Sequence, residues 1–253
     1  MPLDLHPSVA GAQSEAPVSD ALAGLVADLN AQVAGKCARD VIRTALSAIA
    51  PLRLVSSFGA ESVALLHLAA EADRDIPVIF IDTEMLFEET LTYQQDIATA
   101  LGLRNLRILR SADAAERDPD GLLHRTDPDA CCSLRKTEPL QAALAGSNGW
   151  ITGRKRFQNG QRAALEFFEA DDAGRIKINP LAHFTPEDIR EYILNNRLPR
   201  HPLVEKGYPS IGCAPCTTRV AEGEDARAGR WRGFDKTECG IHFTDGAAVR
   251  VPT

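Results

Sequence analysis

The run Pro77-Val78-Ile79-Phe80-Ile81-Asp82-Thr83 most constrains what this chain can fold into. An unbroken apolar stretch without polar alternation describes a strand buried on both faces. Such strands belong to parallel sheets covered by helices, and in those sheets ligands sit at the carboxyl ends of the strands. Asp82 and Thr83 close the run, so they are placed to meet a ligand.

The same alternation recurs along the chain. Leu52 to Ser56 reads as a short strand, followed by the loop Ser57-Phe58-Gly59-Ala60-Glu61-Ser62 and a helix from Val63 to Ala72. A loop of serines and glycine before a helix start offers hydroxyls and free N–H groups to an anion. It is not a P-loop, because the Gly-Lys-Ser/Thr ending is missing. A helix from Leu86 to Leu101 follows, then strands at Leu103 to Leu109, Trp150 to Gly153 and Ile176 to Pro180. Thr185-Pro186-Glu187-Asp188 opens a helix to about Asn196, with Thr185 as N-cap. Upstream, apolar residues at helical spacing from Asp20 to about Ala50 predict two amphipathic helices broken near Gly35. Cys37, at that break, is expected to be a small semi-buried residue. Together these elements predict an α/β fold, a mostly parallel twisted sheet with helices on both faces. Residues 1–19, rich in Ala, Pro and Ser, predict a disordered tail. After Leu198 the pattern turns irregular, which predicts a C-terminal extension folded over the sheet edge.

Charge narrows the partners. The formal net charge is −7, which argues against a general nucleic-acid binder. Two basic clusters stand out, Arg154-Lys155-Arg156 and the set Arg219, Arg227, Arg230 and Arg232. Positive groups concentrated in an acidic chain suit a small anionic ligand, although a solvated surface explains either cluster equally well. No apolar run approaches the ~20 residues of a membrane span. No basic segment followed by an apolar core marks a secretory signal, so a cytoplasmic, thiol-reducing setting is expected.

In that setting the cysteines are ligands or catalysts rather than disulfides. Cys213 and Cys216 have metal-ligand spacing, and Cys131 and Cys132 are adjacent. Adjacent thiolates rarely meet one tetrahedral ion without strain, whereas a cluster has corners spread over several ångströms. An iron–sulfur cluster therefore fits this set better than zinc or a redox disulfide. Cys239 stands apart between Glu238 and Gly240. It reads as a nucleophile or as an oxidisable surface thiol.

These pieces resemble the assimilatory adenylyl-sulfate (APS) reductases and the related 3′-phosphoadenylyl-sulfate (PAPS) reductases. The resemblance rests on Ser56-Ser57-Phe58-Gly59-Ala60-Glu61, Phe80-Ile81-Asp82-Thr83, Cys131-Cys132-x-x-Arg135-Lys136, Ile151-Thr152-Gly153-Arg154, Lys177-Ile178-Asn179-Pro180-Leu181, Gly212-Cys213-x-x-Cys216 and Glu238-Cys239-Gly240-Ile241-His242. It covers roughly residues 40–243. It implies a fold like the adenine nucleotide α-hydrolase (ATP-pyrophosphatase) class. Residues 20–200 would be the nucleotide-binding domain, and 201–253 would carry cluster ligands and the catalytic cysteine. The resemblance implies a 4Fe–4S cluster on Cys131, Cys132, Cys213 and Cys216, with Lys136 near both cluster and substrate. Arg227, Arg230 and His242 would contact the phosphosulfate. Ser56, Ser57, Phe58, Gly59, Asp82, Thr83 and Arg154 complete the substrate-binding set.

The implied reaction is reduction of adenylyl sulfate to sulfite and AMP through a Cys239 S-sulfonate, with thioredoxin or glutaredoxin as thiol donor. A PAPS reductase or a dual-substrate enzyme is the alternative. An iron–sulfur nucleotide-binding sensor is more remote, and a tRNA-thiolating enzyme would need a paired-glycine loop and a basic surface. Neither membrane nor nucleic acid is an expected partner, and the oligomeric state is open, a homo-oligomer included. Two positions depart from the family pattern: Glu84, where glycine is common, and Phe157, where aspartate is common.

Overall fold

Valine, isoleucine and phenylalanine at residues 78–81 form the strand that the sequence predicts, and its alternation sorts the core into two layers. The computed structural model describes residues 20–158, 162–233 and 236. Strand β2 (Val78–Ile81) is buried throughout. Its Val78 and Phe80 pack into a large cluster with Val63, Leu66, Ile97 and Ile189. Its Ile79 and Ile81 pack into a smaller one with Leu140, Leu144 and Trp150. Successive strand side chains point to opposite faces, so one strand serves both layers.

The helices that supply these contacts are α3 (Ser62–Ala72), α4 (Glu88–Leu101) and α9 (Pro186–Asn195) on one face, and α8 (Glu138–Leu144) on the other. With β1 (Leu52–Val55), β3 (Leu106–Leu109), β4 (Gly149–Ile151), β5 (Phe168–Ala170) and β6 (Ile176–Ile178), the sheet order is β3-β2-β1-β4-β6-β5. All neighbours are parallel except β5, which runs antiparallel to β6 at the edge. The α/β expectation holds, with β5 as an addition that the sequence reading lacks.

The chain crosses from β1 to β2 on one side and places β4 on the other. The crevice between β1 and β4 is therefore a topological switch point, where ligands bind in open α/β sheets. Helix α9 starts as its sequence predicts, with Thr185 and Asp188 exchanging capping bonds. Helices α1 (Asp20–Gln32) and α2 (Ala38–Ala48) flank the break at Gly35, which has φ of 71°. Cys37 corrects an expectation: it is exposed, not semi-buried. It occupies the N-cap position of α2, and its thiol lies 3.2 Å from the Asp40 carboxylate. A cap sits outside the helix's buried stripe, which accounts for the exposure. Among the described residues no helix is long and apolar enough to cross a membrane.

Candidate active site

A cavity of about 230 Å³ opens at the β1/β4 crevice, with the C-terminal extension as its outer wall. Its floor is the loop after β1. Ser56, Ser57, Gly59, Glu61 and Ser62 line it. The loop folds on its own hydroxyls: the Phe58 N–H donates to Ser56 Oγ (3.2 Å) and the Gly59 N–H to Ser62 Oγ (3.0 Å). Phe58 is turned away into the core, edge-on to Phe80 with centroids 5.3 Å apart. It supports the loop and is not a lining residue.

The loop after β2 divides in the same way. Thr83 lines the cavity. Asp82 does not; its carboxylate accepts from the Glu84 N–H (2.9 Å) and pairs with Arg110 (2.8 Å). Glu84 has φ of 59°, a left-handed conformation suited to the glycine common at this position. Its carboxylate meets the buried Arg135 guanidinium at 3.2 Å. Arg135 also pairs with Asp118 (3.0 Å) and donates to the Thr83 carbonyl (3.1 Å). Burial alone would raise the Asp118 carboxyl, but the Leu123 N–H and Arg135 hold it below its usual value.

The β4 side carries Thr152, Gly153, Arg154 and Lys155 to the cavity. Arg154 is committed inward, with Nε on Asn179 Oδ1 (3.1 Å) and Nη2 on the Glu169 carboxylate. Lys155 is buried and pairs with Glu61 at 2.7 Å. Burial lowers its pKa, and Glu61 works against that shift. Arg156 instead pairs with Glu166 at 3.0 Å, away from the lining. Phe157 is 42% exposed, with the Lys155 ammonium 5.9 Å from its ring centroid.

The cysteines arrive on two segments. After the short helices α5 (Ala114–Arg117) and α6 (Leu123–Thr126), Cys131 and Cys132 end the short helix α7 (Pro128–Cys132), which Asp127 caps. A π-helical turn, Ser133–Thr137, follows at once and buries Leu134, Arg135 and Lys136. Single π turns inside helices mark functional sites often enough to count as a signal. Here the turn brings Lys136 to the cavity wall. Cys213 caps a 3₁₀ turn, Ala214–Cys216, and its thiol lies 3.2 Å from Thr83 Oγ1. The Ala214 N–H donates to the Met85 carbonyl (2.8 Å), pinning this turn beside the loop after β2.

Cys131, Cys132, Cys213 and Cys216 lie within one another's electrostatic reach. Burial first, then the three neighbouring thiols, push the Cys131 pKa up to about 12, and Lys136 opposes them. Burial and Cys213 raise Cys216, against Lys136 and Arg230. Among the described residues no three His, Cys, Asp or Glu side chains are grouped as ligands of a single metal ion. The donor chemistry nonetheless suits a larger thiophilic group, because four mutually repelling thiolates gain from positive charge placed among them.

The outer wall supplies Arg227, Arg230 and Trp231. Gly212 lies against the Arg230 guanidinium so closely that a Cβ there would collide with it. Arg219 and Arg232 face elsewhere: Arg219 lies over Tyr208, and Arg232 pairs with Glu224 at 2.9 Å. Each basic cluster of the sequence is thus split between cavity and surface. Cys239 and His242 lie outside the described residues. Lys236, three positions before Cys239, donates to the Pro128 carbonyl (3.3 Å) and pairs with Asp129, on the helix that carries the cysteine pair. Lys155, Arg162, Trp150 and Trp231 line the cavity without belonging to the predicted site. Only Lys155, in a basic triplet beside Arg154, carried a signal in the sequence.

The sheet order and the cavity at its switch point define a protein of the adenine nucleotide α-hydrolase-like class. A solved phosphoadenylyl-sulfate reductase from Candida auris, in complex with phosphate, superposes with a TM-score of 0.69 at 27% identity, over 82% of this chain and 100% of that one. The FMN adenylyltransferase of Candida glabrata shares the fold alone, with a TM-score of 0.54 at 15% identity, over 83% and 70% of the two chains. Residues 51–219 match the phosphoadenosine phosphosulfate reductase domain, and the chain belongs to that family. Among its relatives is the adenosine 5′-phosphosulfate reductase of Mesorhizobium japonicum, 48% identical over 92% of this chain and 89% of that protein.

Proposed function

We propose that this protein reduces adenylyl sulfate to sulfite and AMP in assimilatory sulfate reduction. The observation that carries the reading is one cavity that collects Lys136, Arg227 and Arg230 opposite a serine-rich loop, with Cys213 on its wall and the other three thiols grouped around Cys213. Three cations converging on a small cavity match a phosphosulfate, which brings two anionic groups together.

Cys239 is the nucleophile. Its thiolate attacks the sulfur of adenylyl sulfate. The bond from that sulfur to the bridging oxygen breaks, and AMP leaves with the electron pair. Lys136, Arg227 and Arg230 offset the charge that develops on the leaving phosphate. The Ser56 loop holds the nucleotide, and His242 is assigned to the phosphosulfate. A thiolate of thioredoxin, or of glutaredoxin, then attacks the sulfur of Cys239. Sulfite departs with the sulfur–sulfur bonding pair. The donor's second thiol resolves the mixed disulfide, restoring Cys239 and leaving the donor oxidised. Such a cycle belongs in the reducing cytoplasm. Cys131, Cys132, Cys213 and Cys216 would hold a 4Fe–4S cluster, which would tie α7 to the Cys213 turn and add positive charge beside the cavity.

The assignment of Cys239 rests on the likeness of Glu238-Cys239-Gly240-Ile241-His242 to the terminal motif of the family. The test is anaerobic. Protein given adenylyl sulfate without reductant should gain one sulfonate on the peptide containing Cys239, read by mass spectrometry, and thioredoxin should release it as sulfite. A sulfonate on another cysteine, or none, sinks the mechanism and favours a nucleotide-binding sensor. Running PAPS in parallel, with kcat/KM for each substrate, separates the adenylyl-sulfate enzyme from a PAPS or dual-substrate one.

A further inference from the structure

Two tryptophans line the cavity, and their indole N–H groups meet different fates. That of Trp150 donates to Asp171 Oδ2 at 3.0 Å. Among the described residues, that of Trp231 is buried and has no hydrogen-bond partner, and neither has Nε of the adjacent Arg230. A buried donor left unpaired is costly, and native structures tolerate one chiefly where a ligand, ion or water completes it. Both orphaned donors belong to neighbouring residues of the same cavity wall.

Trp231 is also held in place at some cost. It is 3% exposed and has φ of 50°, an outlier conformation for a bulky side chain. Its backbone N–H donates to the Cys216 carbonyl at 3.0 Å. Its ring lies beneath two guanidinium groups, Arg230 at 4.4 Å and Arg227 at 5.6 Å from the centroid. Strain of this kind persists where the surroundings over-determine it, and it clusters at ligand sites. An indole N–H donates only, so its partner must be an acceptor. Beside two arginines, that acceptor is an anionic oxygen.

We propose that Trp231 is a ligand-binding residue of this site: its indole N–H binds an anionic oxygen of the phosphosulfate, and its ring orients Arg227 and Arg230 toward the same group. The inference rests on the cavity being the adenylyl-sulfate site.

The test uses the full chain carrying Cys239→Ser, which cannot form the S-sulfonate, and three ligands: adenylyl sulfate, AMP and adenosine. The chain has two tryptophans, so a proton NMR spectrum shows two indole N–H resonances. Trp231→Phe assigns the second by removing it. Adenylyl sulfate should move the Trp231 resonance downfield, and adenosine should leave it in place. Calorimetry on Trp231→Phe, which keeps a ring under the arginines, should show adenylyl sulfate bound about tenfold more weakly, with adenosine affinity unchanged. A matching loss for AMP puts the acceptor on the phosphate; a loss confined to adenylyl sulfate puts it on the sulfate. Undiminished affinity in Trp231→Phe with a stationary resonance overturns the proposal, as does an equal loss for adenosine, which would mark a packing defect. Parent protein that binds neither anion would sink the reading of the site itself, a result distinct from either.

Discussion

The two walls of the cavity carry the same charges and use them differently. On the β4 wall each cation has a carboxylate partner: Arg154 has Glu169 and Lys155 has Glu61. On the outer wall Arg227 and Arg230 stack on Trp231, and Arg230 keeps an orphaned Nε. The β4 cations are neutralised within the fold, so they chiefly hold the scaffold together. On the outer wall it is Arg230 that, among the described residues, keeps a donor unsatisfied for something that enters. A basic cluster in a sequence therefore does not announce its purpose; the acid beside it in space decides.

Opposite outcomes on the two walls test this contrast. The largest effect is expected from Glu169→Gln, which leaves Arg154 with its charge beside a neutral amide. Thermal unfolding should show a loss of about 3 kcal/mol, the low end for breaking a buried pair because only the Arg154 side of this one is buried, while calorimetry in a Cys239→Ser background finds affinity for adenylyl sulfate undiminished. Unchanged stability with weakened binding would erase the distinction. Arg230→Ala should do the reverse. Affinity should fall by about 1.5–3 kcal/mol, the worth of a charge-assisted contact, with the unfolding temperature nearly unchanged.

A smaller effect is expected from Lys177 on β6, whose ammonium lies 4.7 Å from the Trp150 ring centroid. Burial, then Arg154, lower its pKa from 10.5 to about 7. The unfolded chain therefore binds more protons between pH 7 and 10.5, and Lys177 makes stability rise with pH through that window. Lys177→Met should be more stable than wild type below pH 7, on the order of 2–3 kcal/mol once the lost contact with Trp150 is discounted. The advantage should fade toward pH 10.5, the unperturbed value. Melting curves across pH check it, and a gap that does not narrow would refute it. The smallest effect belongs to Glu84→Gly. Relief of the left-handed strain and loss of the exposed partner of Arg135 nearly cancel, so stability should move by less than about 1 kcal/mol.

What could be read in advance follows from these contacts. Strands β1 to β4 and β6 announced themselves through apolar runs, and α9 through Thr185 and Asp188, because local sequence alone sets those features. Strand β5 is three residues long, with only Phe168 fully buried, and its place comes from pairing with β6. Asp82 and Phe58 stand at the carboxyl ends of strands, as ligand residues do, yet Arg110 claims one and Phe80 the other. Those partners lie 28 and 22 positions away in the chain, beyond any local pattern. Trp231 was invisible for the same reason: its meaning lies in the guanidinium groups stacked on it.

The π-helical turn at Ser133–Thr137 has a consequence for the length of the chain. Upstream of it Cys131 and Cys132 must face Cys213 and Cys216; downstream Leu140 and Leu144 must face Ile79 and Ile81 of the sheet. A regular helix advances about 100° per residue, so two such demands need not fall in phase. The wider turn absorbs the discrepancy, as a spacer does between misaligned threads. Removing any one residue from it would leave every side chain in the neighbourhood chemically intact and yet swing the cysteines and the leucines out of register by about 100°. At this position the number of residues matters more than their identity.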